Sequence, residues 1–170
     1  MSGNTDRGSR VLGILRSTGG GGVVRIEDRY DTDIQDLWSA ITDPHRLARW
    51  LGEIGGDLHL GGEFRAHFLA SGWEGTGRVE VCEPPRRLVV ITRDSDGSNE
   101  GPIELSLVAD GGQTILVWEE RVPQELLPEY GAGIQVHAED LAAHIAGGER
   151  CDAAVRWGEL IPLYRDLLAS

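Results

Sequence analysis

At 170 residues, 40% of them apolar, the chain is long enough for one sizeable core, and no apolar run approaches the length of a membrane-spanning helix. A net charge of −12 argues against a phosphate backbone or an anionic membrane surface as partner. All sixteen basic residues are arginine, which excludes a Schiff-base lysine, a phosphate-loop lysine and a lysine general base.

Residues 1–10 are polar and without periodicity, which predicts a mobile tail ahead of a single domain over 11–170. Residues 11–16 and 23–30 read as strands joined across Thr18 and the glycines 19–22. In Thr32-Asp33-Ile34-Gln35, Thr32 fits the N-cap of a capping box, and Ile34, Leu37, Trp38 and Ile41 form one helical stripe. Asp43-Pro44 starts a second helix, with Asp43 as cap, Pro44 at the first position and Leu47, Trp50 and Leu51 on the apolar side. Strands are expected near 57–60, 63–70, 73–83, 87–93, 102–109 and 114–122, separated by Gly, Pro, Asp and Ser turns. With no helical crossover between them, antiparallel pairing follows. Ile134, Ala138, Leu141 and Ile145 predict a helix over about 127–146 that stops at Gly147-Gly148. Gly131 and Gly133 near its start predict close backbone approach or an irregular first turn. Trp157, Leu160, Ile161, Tyr164 and Leu168 predict a short last helix, in which Pro162 fits only the first turn.

The order of these pieces carries a resemblance. A strand, then Leu37-Trp38-Ser39-Ala40-Ile41-Thr42-Asp43-Pro44, then Leu47-Ala48-Arg49-Trp50-Leu51, resembles the Hsp90-ATPase-activator-homologue-like (AHSA1-type) branch of the START-related SRPBCC superfamily. Gly61-Gly62-Glu63-Phe64, Gly77-Arg78-Val79-Glu80-Val81, Pro84-Pro85-Arg86-Arg87-Leu88 and Trp157-Gly158-Glu159-Leu160 extend it over roughly 23–169. The resemblance implies an α+β helix-grip fold: a curved antiparallel sheet around a long C-terminal helix, with a cavity between them. It specifies architecture better than activity, because one fold hosts unrelated functions.

The residues themselves show little catalytic signature. Gly-x-Ser-x-Gly, His-Glu-x-x-His and phosphate-loop patterns are absent from the sequence. His137, Asp140 and His144 share a helix, but seven residues separate the histidines by about 10 Å, too far for one metal, so a solvated or polar edge is expected there. Cys82 and Cys151 lack metal-ligand spacing and read as reduced thiols of a cytoplasmic protein. Arg46, Arg49, Arg86 and Arg87 read as solvated partners for carboxylates. Glu120 follows Leu116 and Trp118 by alternation; if they point inward, it becomes a desolvated carboxylate suited to acid–base work. The competing reading lets the strand end flare into solvent.

Phe64, Ala66 and Phe68 share one strand face, as do Val79 and Val81, and Trp73 joins them if no bulge intervenes. A packed core accounts for any one of these aromatics; the resemblance implies that together they line a cavity against the helix stripe. The expected ligand-binding set is Trp50, Phe64, Phe68, Trp73, Val79, Val81, Trp118, Glu120, Ile134, His137 and Leu141, with no catalytic residue and no metal ligand. The function expected is binding of a small, largely apolar molecule with no cofactor, no nucleic acid and no membrane partner. Two rivals follow from the resemblance. One is a co-chaperone-like interaction module that contacts a chaperone, although the resemblance covers no counterpart of the separate N-terminal domain such co-chaperones use. The other is a polyketide cyclase or hydrolase-type enzyme. A homodimer is compatible with each.

Overall fold

Alternation and turn chemistry build one large sheet. In the computed structural model, which describes residues 10–169, the strands are β1 (Gly13–Thr18), β2 (Gly21–Tyr30), β3 (Gly52–Gly56), β4 (Glu63–Phe68), β5 (Glu74–Glu83), β6 (Arg87–Asp94), β7 (Glu100–Asp110) and β8 (Gln113–Val122). They form an eight-stranded sheet in the order β1-β2-β8-β7-β6-β5-β4-β3, with every pairing antiparallel. The expected tail over 1–10 lies almost wholly outside the described residues. Only two glycines turn the first hairpin: Gly21 and Gly22 pair with Thr18 and Ser17 inside it. The strand expected at 57–60 is instead a turn region, and Gly52–Gly56 supplies the edge strand by pairing with β4.

Two helices fill the connection between β2 and β3. Helix α1 (Ile34–Thr42) is capped by Asp33, whose carboxylate accepts from the Asp36 amide at 2.8 Å; Thr32, the expected cap, instead donates its hydroxyl to the Asp36 carboxylate at 2.7 Å. Asp33 sits one residue closer to the free amides, which settles the competition. Helix α2 (Pro44–Trp50) begins as expected, with Asp43 accepting from the His45 amide and Pro44 in the first turn. Trp50 is buried and donates its indole N–H to the Ala40 carbonyl at 2.9 Å, tying α2 to α1.

Helix α3 (Leu127–Ile145) follows a single 3-10 turn at Gln124–Leu126 and is gripped from both sides. Ile134, Ala138 and Leu141 face the sheet, packing with Val24, Leu107 and Leu116. Ala132 and Val136 face the opposite way, toward Leu160, Ile161 and Tyr164 of α4 (Ala153–Ala169). Gly131 meets the Tyr164 ring so closely that a Cβ could not be added, whereas Gly133 has open space beside it. The helix is therefore regular, and one of its two glycines is a close approach while the other leaves room.

Helix α4 corrects the expectation of a short helix: Pro162 lies well inside it. The proline removes the donor that would reach the Gly158 carbonyl, but Gly158 is exposed, so water can serve that carbonyl. Burial of Leu160, Ile161 and Tyr164 around the proline holds the helix together. Leu168, expected on the packed stripe, is exposed. Polar contacts then clasp α4 to α3 and β1. The Tyr164 hydroxyl accepts from the Gly13 amide at 2.9 Å and donates to Gln135 Oε1 at 2.6 Å. Gln135 Oε1 also accepts from the Leu12 amide, at 3.0 Å. Arg156, buried, pairs with Glu139 at 2.7 Å and with Glu159 at 3.0 Å. Among the described residues, no helix is long and apolar enough to cross a membrane.

Candidate ligand-binding cavity

The concave face of the sheet does not close fully onto α3. Between them lies a cavity of about 1280 Å³ whose mouth is edged by the β1–β2 turn, by Ser71 and Gly72, by the β6–β7 loop and by the start of α4. Its inner wall is aromatic. Phe68 lies 4.8 Å from Trp73 and 5.4 Å from the His137 ring, and Trp118 stacks on His137 at 6.3 Å with 7° between the planes. Trp73 is fixed by an indole N–H bond to Asp94 at 2.8 Å. A second, apolar pocket of about 90 Å³ lies behind this wall, bordered by Leu47, Trp50, Phe64, Val79 and Leu105. Phe68, Thr92, Ile103 and Trp118 line both spaces and form the partition.

Two of the titratable groups that line the larger cavity are strongly shifted by burial. Leu116 and Trp118 are buried on the inner face, and Glu120 follows them there, half-buried, rather than flaring into solvent. Burial pushes its carboxyl up to about 7, against the smaller opposing effect of the Trp118 indole N–H, which donates to Glu120 Oε1 at 3.3 Å. His137 is 5% exposed, not a solvated edge residue. Burial, with a smaller contribution from Arg150, lowers its imidazole to about 4, so it is neutral at pH 7. Its Nδ1 is buried without a hydrogen-bond partner. Asp140 is buried elsewhere, accepting from the Cys151 amide at 2.9 Å, and His144 receives a bond from Arg46 Nε at 3.1 Å. The three residues thus serve separate surroundings. Among the described residues, no cluster of His, Cys, Asp and Glu could hold a metal ion.

The expected set divides. Phe68, Trp73, Trp118, Glu120, Ile134 and His137 come together around the larger cavity, whereas Trp50, Phe64 and Val79 border the small pocket. Leu141, with no exposed surface, lines neither and belongs to the packed core. Val81 leaves the inner face. The β5–β6 register shifts between Val79 and Val81, so Glu80 is an extra residue and the inward side passes to Cys82, which packs against the core. Among the cavity residues that were not expected are Tyr130, Trp157 and Asp94. Tyr130 had a signal, since it stands at i with Ile134 at i+4 and His137 at i+7. Trp157 comes from α4, donating its indole N–H to the Glu129 carbonyl at 3.2 Å, and no local pattern announces that meeting.

Comparison with known proteins agrees with this architecture. The crystal structure of CalU16 from Micromonospora echinospora is 30% identical, superposes with a TM-score of 0.74, and matches over 92% of this chain and 95% of that one. DynU16, described as a protein in the dynemicin biosynthetic locus, is 23% identical with a TM-score of 0.70, over 76% of this chain and 50% of that one. PFC0360w, described as an HSP90 activator from Plasmodium falciparum, is 20% identical with a TM-score of 0.52, over 59% of this chain and 73% of that one. No curated protein matches the sequence. The family described as "Activator of Hsp90 ATPase homolog 1-like protein" (AHSA1) matches residues 31–151, and the chain belongs to that family.

Proposed function

We propose that the protein binds a small, largely apolar molecule in the cavity between the sheet and α3, acting as a cytoplasmic binding protein without a cofactor. The observation that carries this reading is the cavity itself, about 1280 Å³ of space walled by Phe68, Trp73, Trp118 and Ile134. Small-molecule sites are commonly apolar hollows of roughly 300–1,000 Å³ with a few polar groups that orient the ligand. Glu120 and the unpartnered His137 Nδ1 supply such groups here. Both described cysteines are free, in keeping with a reducing compartment.

Gly133 offers the test, because it lines the cavity and nothing lies within 4 Å of where its Cβ would be. Gly133→Leu should project into the cavity while improving helix propensity. Apolar aromatic and acyl compounds are screened by the emission of Trp73 and Trp118, and the hits are repeated on the variant. Saturable binding to the parent, lost in a Gly133→Leu protein of undiminished Tm, is expected. Hits that bind the variant equally well, or no hits at all, would sink the reading.

A second reading rests on Glu120. A carboxyl that ionises near pH 7 beside an aromatic wall is suited to exchange a proton with a bound substrate, as a cyclase or hydrolase-type enzyme requires. It predicts that a bound hit is converted to product and that Glu120→Gln binds without turnover.

A further inference from the structure

We infer that the apolar molecule carries a protonated amine, held in the cavity by Glu120 and His137. This rests on the binding reading above and specifies the ligand's charge. Five carboxylates line the cavity, those of Asp94, Glu100, Glu120, Glu125 and Glu129, against one guanidinium, that of the exposed Arg121. Two of the acids are also poorly neutralised. Asp94 is held by the indole of Trp73 and by Ser98 and Asn99, all neutral donors. Glu129 reaches Arg165 through one oxygen at 3.5 Å, while its other oxygen is buried without a partner. An anionic ligand would enter against this field, and a cation would be drawn along it.

The surroundings of Glu120 make the same choice by geometry. Glu120 receives a hydrogen bond from Trp118, and the residues opposite it on β2 and β8's other neighbour β7, Val24 and Ile103, bring no charge. From α3 the cavity is lined by Tyr130, which feels the Glu120 charge, and by His137, which feels Arg150; both are uncharged at pH 7, and Arg121 follows Glu120 in the chain. His137 is an independent sign of a missing partner. It is a neutral imidazole, 5% exposed, lining the cavity, and in the tautomer with its proton on Nε2 the unbonded Nδ1 is an acceptor without a donor. An ammonium group has donors only, which suits a carboxylate and an imidazole lone pair. The aromatic walls add to the selection, since the electron-rich faces of Trp and Tyr attract cations. A carboxyl that burial keeps protonated is recovered as a carboxylate when a cation enters beside it.

The test uses three probes on one skeleton: 2-naphthylmethylamine, 2-naphthylmethanol and 2-naphthoate, titrated calorimetrically into the full chain at pH 7.5. The amine should bind at least ten-fold more tightly than the alcohol, and the carboxylate most weakly. Glu120→Gln, checked for a cooperative melt, should bring the amine to within about three-fold of the alcohol. Lowering the pH from 8 to 6 should weaken the amine in the parent but not in Glu120→Gln. If the alcohol binds as tightly as the amine, or the carboxylate most tightly, the charge inference is overturned while apolar binding stands. If Glu120→Gln leaves the amine's affinity intact, the inference is overturned too. If none of the three binds, it falls together with the reading on which it rests.

Discussion

Replacing Glu120 by glutamine removes a carboxyl whose ionisation the fold opposes, and the effect can be followed by pH. Burial raises this carboxyl from 4.5 to about 7, so between those values the folded chain keeps a proton that the unfolded chain has released. Its contribution to stability is complete below pH 4.5 and is lost as the pH rises through 7. At 1.36 kcal/mol per pH unit, that interval amounts to about 3 kcal/mol. His137 runs the other way. Burial lowers its imidazole from 6.5 to about 4, so its contribution is complete above pH 6.5 and is lost as the pH falls through 4. The size is again about 3 kcal/mol. Between pH 4.5 and 6.5 the folded chain protonates Glu120 and not His137, the unfolded chain does the reverse, and the two effects cancel. Single variants expose them. Relative to the parent, Glu120→Gln should gain about 3 kcal/mol as the pH rises from 4.5 past 7, and His137→Gln should gain a similar amount as it falls from 6.5 to 4. Urea unfolding at half-unit pH steps, each variant differenced against the parent, removes the background of the other carboxylates. A Glu120→Gln profile parallel to the parent's across this range would refute the reasoning, since Glu120 would then ionise like a surface glutamate.

Leu141, which has no exposed surface and packs between α3 and the sheet, should cost about 2–5 kcal/mol when cut to alanine. A loss under about 0.5 kcal/mol in the same melts would place it outside the core. Tyr164→Phe strips the buried Gly13 amide of its acceptor, which should cost about 1–3 kcal/mol and speed hydrogen exchange at Gly13. An unchanged exchange rate at Gly13 would show that this bond does not hold β1.

The parts of the fold that announce themselves locally are those with their own caps, stripes or turns. The α1–α2 pair carries two caps and two apolar stripes within residues 33–50, and only the first cap was misplaced, Asp33 taking the role expected of Thr32. β3 has no such signature. Gly52-Glu53-Ile54-Gly55-Gly56 lacks alternation and becomes a strand only because β4 pairs with it, Gly52 lying directly against the His67 carbonyl where a Cβ would collide. The bulge at Glu80 is equally silent, and because side-chain period is two, one extra residue was enough to turn Val81 off the inner face. The cavity divides on the same line. Phe68, Trp118 and Glu120 were reachable by parity along a single strand. Asp94 and Trp157 arrive from the end of β6 and from α4 and meet the others only through tertiary packing.

The clasp of Tyr164 and Gln135 on β1 also bears on how the sheet avoids joining another. β1 stands at the end of the sheet, and such an edge offers free amides to any passing strand. The Leu12 and Gly13 amides are instead taken by side chains of α3 and α4. Gly13 and Tyr164 are 151 positions apart, so the guard is made long after the strand it covers. At translation rates of about 5–20 residues per second, roughly 8 to 30 seconds separate the two. Through that interval the edge is open to self-association. Any substitution that loosens α4 from Gln135 therefore extends the exposure of β1 and should show first as aggregation of the nascent chain, before any loss of the finished fold.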